Sequence, residues 1–372
     1  MTSASNIPNE QAAQTVQPAQ PSSLWYTRCP VPSPLGIAAQ QGWLQEAFAA
    51  LGIGVESIFD SKDRKVRESH FDHSLPWSFR QGGNIPPIWA RAKGSDTRLV
   101  AITWTDEFQA LVSLPGRGID KPEDLAGKRF GVPHRVNDLI DFHRATALKG
   151  LVSGLSLVGL QHSDVQLVDL VIEESVIQQH GTPSLFGLRR RHPYFREAEA
   201  LVRGEVDAIF VKGAEGLLVA NLIGAQLVSE FGRHPDPRVR INNGTPRTLT
   251  VDAALADQRP DLVLALLRVV QRAGRWAEAH PDETLRFVAR EIATSEEAIL
   301  ASNGADVHRH LGISLEPELV DAIGYFKDFL LEWGFLPADF SVADWVDARP
   351  LNRLLAENAP AQSAAQPEAL RA

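Results

Sequence analysis

Apolar residues along this chain recur with two periods. Short runs of strand character occupy residues 55–59, 98–104, 109–114, 165–172, 206–211 and 226–230. Between them lie stretches with helical spacing. The clearest is 260–291, where Leu262, Leu266, Val269, Val270, Ala273 and Trp276 make one stripe and Pro281 opens a further helix through Leu285, Val288 and Ala289. Helices are also predicted at 43–51 before Gly52, at 197–203 before Gly204, at 318–333 and at 342–355. The charged run 60–68 reads as a solvated loop or helix. Strands alternating with helices predict an α/β fold with mostly parallel sheets. Residues 119–132 read as the entry to a second lobe and 247–254 as the way back.

Two stretches do not fit a purely structural pattern. In residues 25–36 a first strand should stop and a first helix should start. Ser33 is placed to cap that helix and Pro34 to open it, since proline has no N–H to lose there. Pro30 and Pro32 should hold the approach extended. Cys29, the single cysteine of the chain, is thereby offered near a helix N-terminus, where partial positive charge favours a thiolate or a bound anion. The plainer alternative is a small buried hydrophobe. In residues 70–87, Gly82-Gly83 precedes Pro86-Pro87, which opens a short helix ending at Gly94. Glycines ahead of a helix expose backbone N–H groups that suit an anion.

Composition narrows the partners. A chain of 372 residues with 44% hydrophobic and 22% charged residues is an ordinary soluble sequence, long enough for two lobes. A net charge of −9 argues against nucleic acid or an anionic membrane as the main partner. No stretch approaches the roughly 18 apolar residues of a membrane span. One cysteine leaves no internal disulfide, no CxxC pair and no thiolate-rich metal site. Residues 1–23 are polar, without a basic start or an apolar run, and are expected to be a disordered leader rather than an export signal. The tail 358–372 is expected to be disordered as well, and the protein to be a cytoplasmic monomer.

Residues 121–132, residues 203–208 and the helix pair begun by Pro260 resemble the type II periplasmic-binding-protein fold, in the branch of sulfonate-binding proteins and thiamin-pyrimidine synthases. The resemblance spans about residues 25–355. It implies a discontinuous first lobe from 24–119 and 248–357, a second lobe from 120–247, and a ligand cleft between them. The chain would cross near Asp120 and Arg247. Within that branch, Tyr26-x-x-Cys29-Pro30-Val31-Pro32 and His70-Phe71, followed by Arg80-x-Gly82-Gly83-x-Ile85-Pro86-Pro87, resemble the 2'-hydroxybiphenyl-2-sulfinate desulfinases. Carried over residue by residue, the resemblance implies Cys29, His70 and Arg80 as catalytic residues and the Gly83 N–H as an anion donor, with no metal or organic cofactor. Thr27 stands where those proteins usually have serine, Arg28 where one has asparagine, and Leu75 where glutamine is expected.

The chemistry is coherent with that resemblance. A sulfinate is a compact anion with two acceptor oxygens, which the planar fork of Arg80 and the close-approaching backbone at Gly82 and Gly83 would hold against Cys29. Thr27, Phe71 and Trp77 complete the expected substrate contacts, the last two as walls for an aromatic ring. Cys29 would either protonate the ring carbon with His70 as relay, or attack sulfur as a thiolate with His70 activating water. His73 reads as a surface or supporting residue, and the run Arg189 to His192 as a solvated loop. The ligand is expected to be an aryl sulfinate or sulfonate. The rival reading is a solute-binding protein for such anions, capturing without turnover. The thiamin-pyrimidine synthase reading fails on its cysteine-rich iron motif.

Overall fold

Five strands, ordered β2-β1-β3-β10-β4, make the sheet that carries the first lobe. They are β1 (Ser23–Arg28), β2 (Gly54–Ser57), β3 (Ser78–Gly82), β4 (Thr97–Thr103) and β10 (Arg247–Asp252). The second sheet runs β7-β6-β8-β5-β9, from β5 (Gln109–Ser113), β6 (Arg129–Arg135), β7 (Gln166–Ile172), β8 (Ala208–Lys212) and β9 (Gln226–Glu230). This is a computed structural model, and it describes residues 21–177 and 193–363. The expected leader up to residue 20 and the run Arg189 to His192 lie outside the described residues.

Both sheets are mixed, and for the same reason. β10 is antiparallel to β3 and β4, and β5 is antiparallel to β8 and β9, while the remaining pairings are parallel. These two reversed strands are the ones by which the chain enters each sheet from the other lobe. The pairing of β5 corrects the expected boundary. The crossing into the second lobe falls between Thr103 and Gln109, ahead of the expected entry at Asp120, because β5 is already a strand of the second sheet.

Local chemistry sets the elements around β1. Ser33 accepts the Gly36 N–H at 3.1 Å and Pro34 opens α1 (Pro34–Gln40). Residues 30–32 bend rather than run extended, with the Val31 N–H donating to the Cys29 carbonyl at 2.9 Å. After α2 (Trp43–Ala49), β2 stops at Ser57, two residues short of the expected strand, and Phe59 falls in a short 3-10 turn. The charged run then becomes α3 (Arg64–Asp72), capped by Asp63 and ended by His73 in the left-handed conformation (φ 51°). The glycine pair leads into α4 (Ile85–Ala92).

The predicted stripe Leu262, Leu266, Val269, Val270 and Ala273 is buried against Leu24, Phe48, Phe79 and Leu249 of the first lobe, with Trp276 partly buried at its end. Each buried aliphatic side chain contributes about 1.5–3 kcal/mol of transfer free energy. Later helices tie the lobes together. Val288, Ala289 and Ile299 pack on Ala214 of the second lobe, and Ile323 and Phe326 join a core that contains both Ile102 and Phe130. The final helix, Arg349–Ser363, extends into what was expected to be a disordered tail from 358. Among the described residues no helix is long and apolar enough to cross a membrane.

Candidate active site

Cys29 is the residue after β1, and its N–H donates to the Gln81 carbonyl at 3.1 Å. The parallel pairing of β1 with β3 sets Thr27 opposite Arg80, and alternation puts Thr27, Cys29, Arg80 and Gly82 on one face. α3 covers that face and brings His70, in its last turn, onto the thiol. Nε2 of His70 lies 3.6 Å from Cys29 Sγ, and Nδ1 lies 2.7 Å from Thr27 Oγ1. Arg80 closes the group, with Nη2 donating to Sγ at 3.3 Å. The structure thus brings Thr27, Cys29, His70 and Arg80 together.

Arg80 does more than offer a fork to a ligand. Nε donates to the His70 carbonyl at 3.0 Å and Nη1 to the Gly83 carbonyl at 2.8 Å, so three hydrogen bonds commit the guanidinium to the protein and to the sulfur itself. Arg80 is thus a buried cation already bonded to the thiol. Gly82 has a different part from the expected one. A Cβ there would fall 2.3 Å from Sγ, so the missing side chain is the space the sulfur occupies. A Cβ at Gly83 would fall 2.6 Å from Asn243 Oδ1, which caps the start of α4 by accepting the Ile85 N–H at 3.0 Å.

Electrostatics keep the imidazole neutral. Burial, then the charges of Arg80 and His73, push His70 well below the ordinary histidine range. Burial and Arg80 bring His73 down to about 3, against a weak opposing bond to the Phe71 carbonyl. Arg80 itself is lowered by burial, with Cys29 opposing. A neutral His70 fits either tautomer. The Thr27 hydroxyl donates to Nδ1 and leaves a proton on Nε2 facing sulfur, or it accepts from Nδ1 and leaves Nε2 as a base.

The two expected aromatic walls part company. Phe71 is buried, meets His70 edge-on at 4.8 Å, and stacks at 5.9 Å on Phe142, which lies on the other side of the crossing. It also lines a small recess of about 30 Å³ between α3 and Asn137, Asp138, Leu139, Ser175 and Ile177. Trp77 is elsewhere. It precedes β3, at the opposite end from Gly82, donates its N–H to Asp252 at 3.0 Å and packs on the core of the first sheet. It does not wall the site. Phe59, which the strand reading absorbed, is the missed aromatic: it is exposed and its ring lies 5.2 Å from that of His70. Arg28, beside the thiol, pairs through Nε and Nη2 with Glu291 at 2.6 and 3.2 Å. Among the described residues no group of three or more His, Cys, Asp or Glu side chains is placed to hold a metal ion.

Comparison with known proteins follows the same geometry. Residues 32–180 match the NMT1/THI5 like family. The 2'-hydroxybiphenyl-2-sulfinate desulfinases of Rhodococcus erythropolis and Rhodococcus qingshengii are each 28% identical to this chain, over 91% of it and 98% of their own length. The chain is similar to these desulfinases along nearly its whole length. The solved desulfurization enzyme DSZB superposes with a TM-score of 0.70 at 27% identity, covering 91% of this chain and 99% of DSZB. A cysteine-to-serine mutant of DSZB, solved with biphenyl-2-sulfinic acid, gives 0.69 at 26% identity over 90% of this chain. Beyond these desulfinases the fold extends to the aliphatic sulphonate binding protein SsuA of Escherichia coli, at a TM-score of 0.60 and 16% identity over 88% of this chain and 98% of SsuA.

Proposed function

We propose that this protein is an aryl sulfinate desulfinase, cleaving the carbon–sulfur bond of a 2'-hydroxybiphenyl-2-sulfinate-like substrate to give the arene and sulfite. The observation that carries the reading is the single thiol held between His70 Nε2 and Arg80 Nη2, in a chain related along nearly its whole length to desulfinases. In this reading Cys29 gives its proton to the ring carbon that bears sulfur. The carbon–sulfur electron pair stays with the ring, and the arene and SO2 separate. The thiolate left on Cys29 is stabilised by Arg80 at 3.3 Å. Water adds to SO2, giving bisulfite and one proton, and His70 returns that proton to the sulfur. Thr27 holds the imidazole in register through Nδ1. Phe71 flanks the aromatic ring, and Gly83 offers its backbone to a sulfinate oxygen. The enzyme works as a cytoplasmic monomer without metal or organic cofactor.

Incubating the purified protein with 2'-hydroxybiphenyl-2-sulfinate and assaying sulfite tests this directly. Wild type is expected to release sulfite and Cys29→Ser to release none while still binding. Binding without sulfite from the wild type overturns the enzyme reading in favour of solute capture.

A further inference from the structure

Arg247 opens β10, the strand that returns the chain to the first sheet. Its neighbour Thr248 lies opposite Gly82, over which the Cys29 sulfur sits. Arg247 itself is paired with Thr103, whose hydroxyl accepts from the Gln81 side chain at 3.2 Å, and the Gln81 carbonyl holds the Cys29 N–H. The guanidinium therefore stands at the same end of the sheet as the thiol.

Its bonding is incomplete. Arg247 is 0% exposed, yet only Nη1 makes a hydrogen bond, a long one of 3.4 Å to the Thr105 carbonyl. Nε and Nη2 are buried with no acceptor, and the hydroxyl of Thr248, the next residue of the strand, is likewise unpartnered. Glu107 Oε2 lies 4.0 Å from Nη2, beyond hydrogen-bond reach, and the other Glu107 oxygen is held by Lys212 at 2.6 Å. Two cations thus share one buried carboxylate. Burial lowers the Arg247 pKa, while Glu107, then Cys29 and Asp106 oppose it. Nε and Nη2 form one edge of the guanidinium. Arg28 offers that edge to Glu291 and Arg259 offers it to Asp261, each pairing two N–H donors with two oxygens. At Arg247 the same edge makes no such pair, having only Glu107 Oε2 at 4.0 Å from Nη2.

We propose that Arg247 is a second anion-binding residue of the Cys29 site, taking two oxygens of the sulfinate, and then of sulfite, on Nε and Nη2 while Arg80 stays on the thiol. The assignment rests on the desulfinase reading for its ligand class and divides the labour between two arginines. Arg80 serves the sulfur of the protein and Arg247 serves the oxygens of the ligand.

The test measures binding of biphenyl-2-sulfinate by calorimetry in the Cys29→Ser protein, and inhibition of the active enzyme by sodium sulfite. Arg247→Gln is expected to weaken both by about tenfold to a hundredfold, the loss of hydrogen bonds to a charged group, with Arg247→Lys recovering part of it. Glu107→Gln is expected to act in the opposite sense, tightening both several-fold by leaving the Arg247 charge less compensated. A folded Arg247→Gln protein whose sulfinate and sulfite affinities stay within twofold of the parent overturns the proposal. Should Arg247→Gln fail to fold, Glu107→Gln decides, and unchanged or weaker binding overturns it. A wild type that binds biphenyl-2-sulfinate in an Arg247-dependent way yet releases no sulfite sinks the desulfinase reading alone and supports this one.

Discussion

Replacing Gly82 by alanine tests the site with a single methyl group. The backbone at Gly82 is outside the left-handed region, so alanine meets no conformational barrier there and the effect is steric. The added carbon would stand 2.3 Å from Cys29 Sγ, 2.8 Å from Cys29 Cβ and 3.2 Å from its nitrogen. Ordinary contact between such atoms begins near about 3.5 Å, so the sulfur must withdraw by roughly 1.2 Å. It sits 3.3 Å from Arg80 Nη2 and 3.6 Å from His70 Nε2, and a shift of that size breaks at least one of these contacts. Misplacing a reacting group by about 1 Å costs on the order of a hundredfold in rate, and kcat for sulfite release is expected to fall by at least that factor. Stability should suffer less. Overpacking costs about 1–3 kcal/mol, and the smaller freedom of alanine in the unfolded chain offsets about 0.4–1 kcal/mol of it. Sulfite assays and a denaturant titration on the same preparation separate the two effects. A Gly82→Ala protein with kcat within threefold of wild type would refute the placement of the thiol.

Two further outcomes follow from His70 and its surroundings. Thr27→Val removes the partner of His70 Nδ1 at 2.7 Å and leaves a buried nitrogen unpaired, about 1–3 kcal/mol, so kcat should drop roughly tenfold to a hundredfold with KM little changed. Thr27→Ser, which keeps the hydroxyl, should restore it. Stability should also depend on pH. His70 and His73 stay neutral in the fold where the unfolded chain protonates them, so their contribution is full above pH 6.5 and is lost as pH falls below it, toward about 3 for His73. Each histidine adds up to about 1.4 kcal/mol per pH unit to that slope. His73→Asn, which suits the left-handed position, should flatten it between pH 6 and 4, as read by denaturant unfolding at each pH.

The clustering of Cys29, His70 and Arg80 was legible through the desulfinase resemblance of its parts: a lone cysteine among prolines, a His-Phe pair, and an arginine before two glycines. β3 was not. Its central residues Phe79, Arg80, Gln81 and Gly82 are all buried, so no alternation marks the strand, and its polar members are satisfied by side-chain bonds that only the tertiary fold supplies. The same loss of pattern hid the lobe boundary, since every residue of β5 is buried and an unbroken buried run does not say which sheet it joins. Trp77 misled because nearness in sequence was read as nearness in space. The five residues of β3 carry it to the far end, about 16 Å along the strand from Gly82. Phe59 reaches His70 through the packing of its 3-10 turn beside α3, which no local period announces.

Thiol, imidazole and guanidinium all come from residues 27–83, carried by β1 and β3 of a single sheet and by α3. The reactive trio is thus one cassette, complete before the chain first leaves its lobe. Phe142 and residues 137–139, which face Phe71 from the opposite lobe, can therefore change without touching that trio.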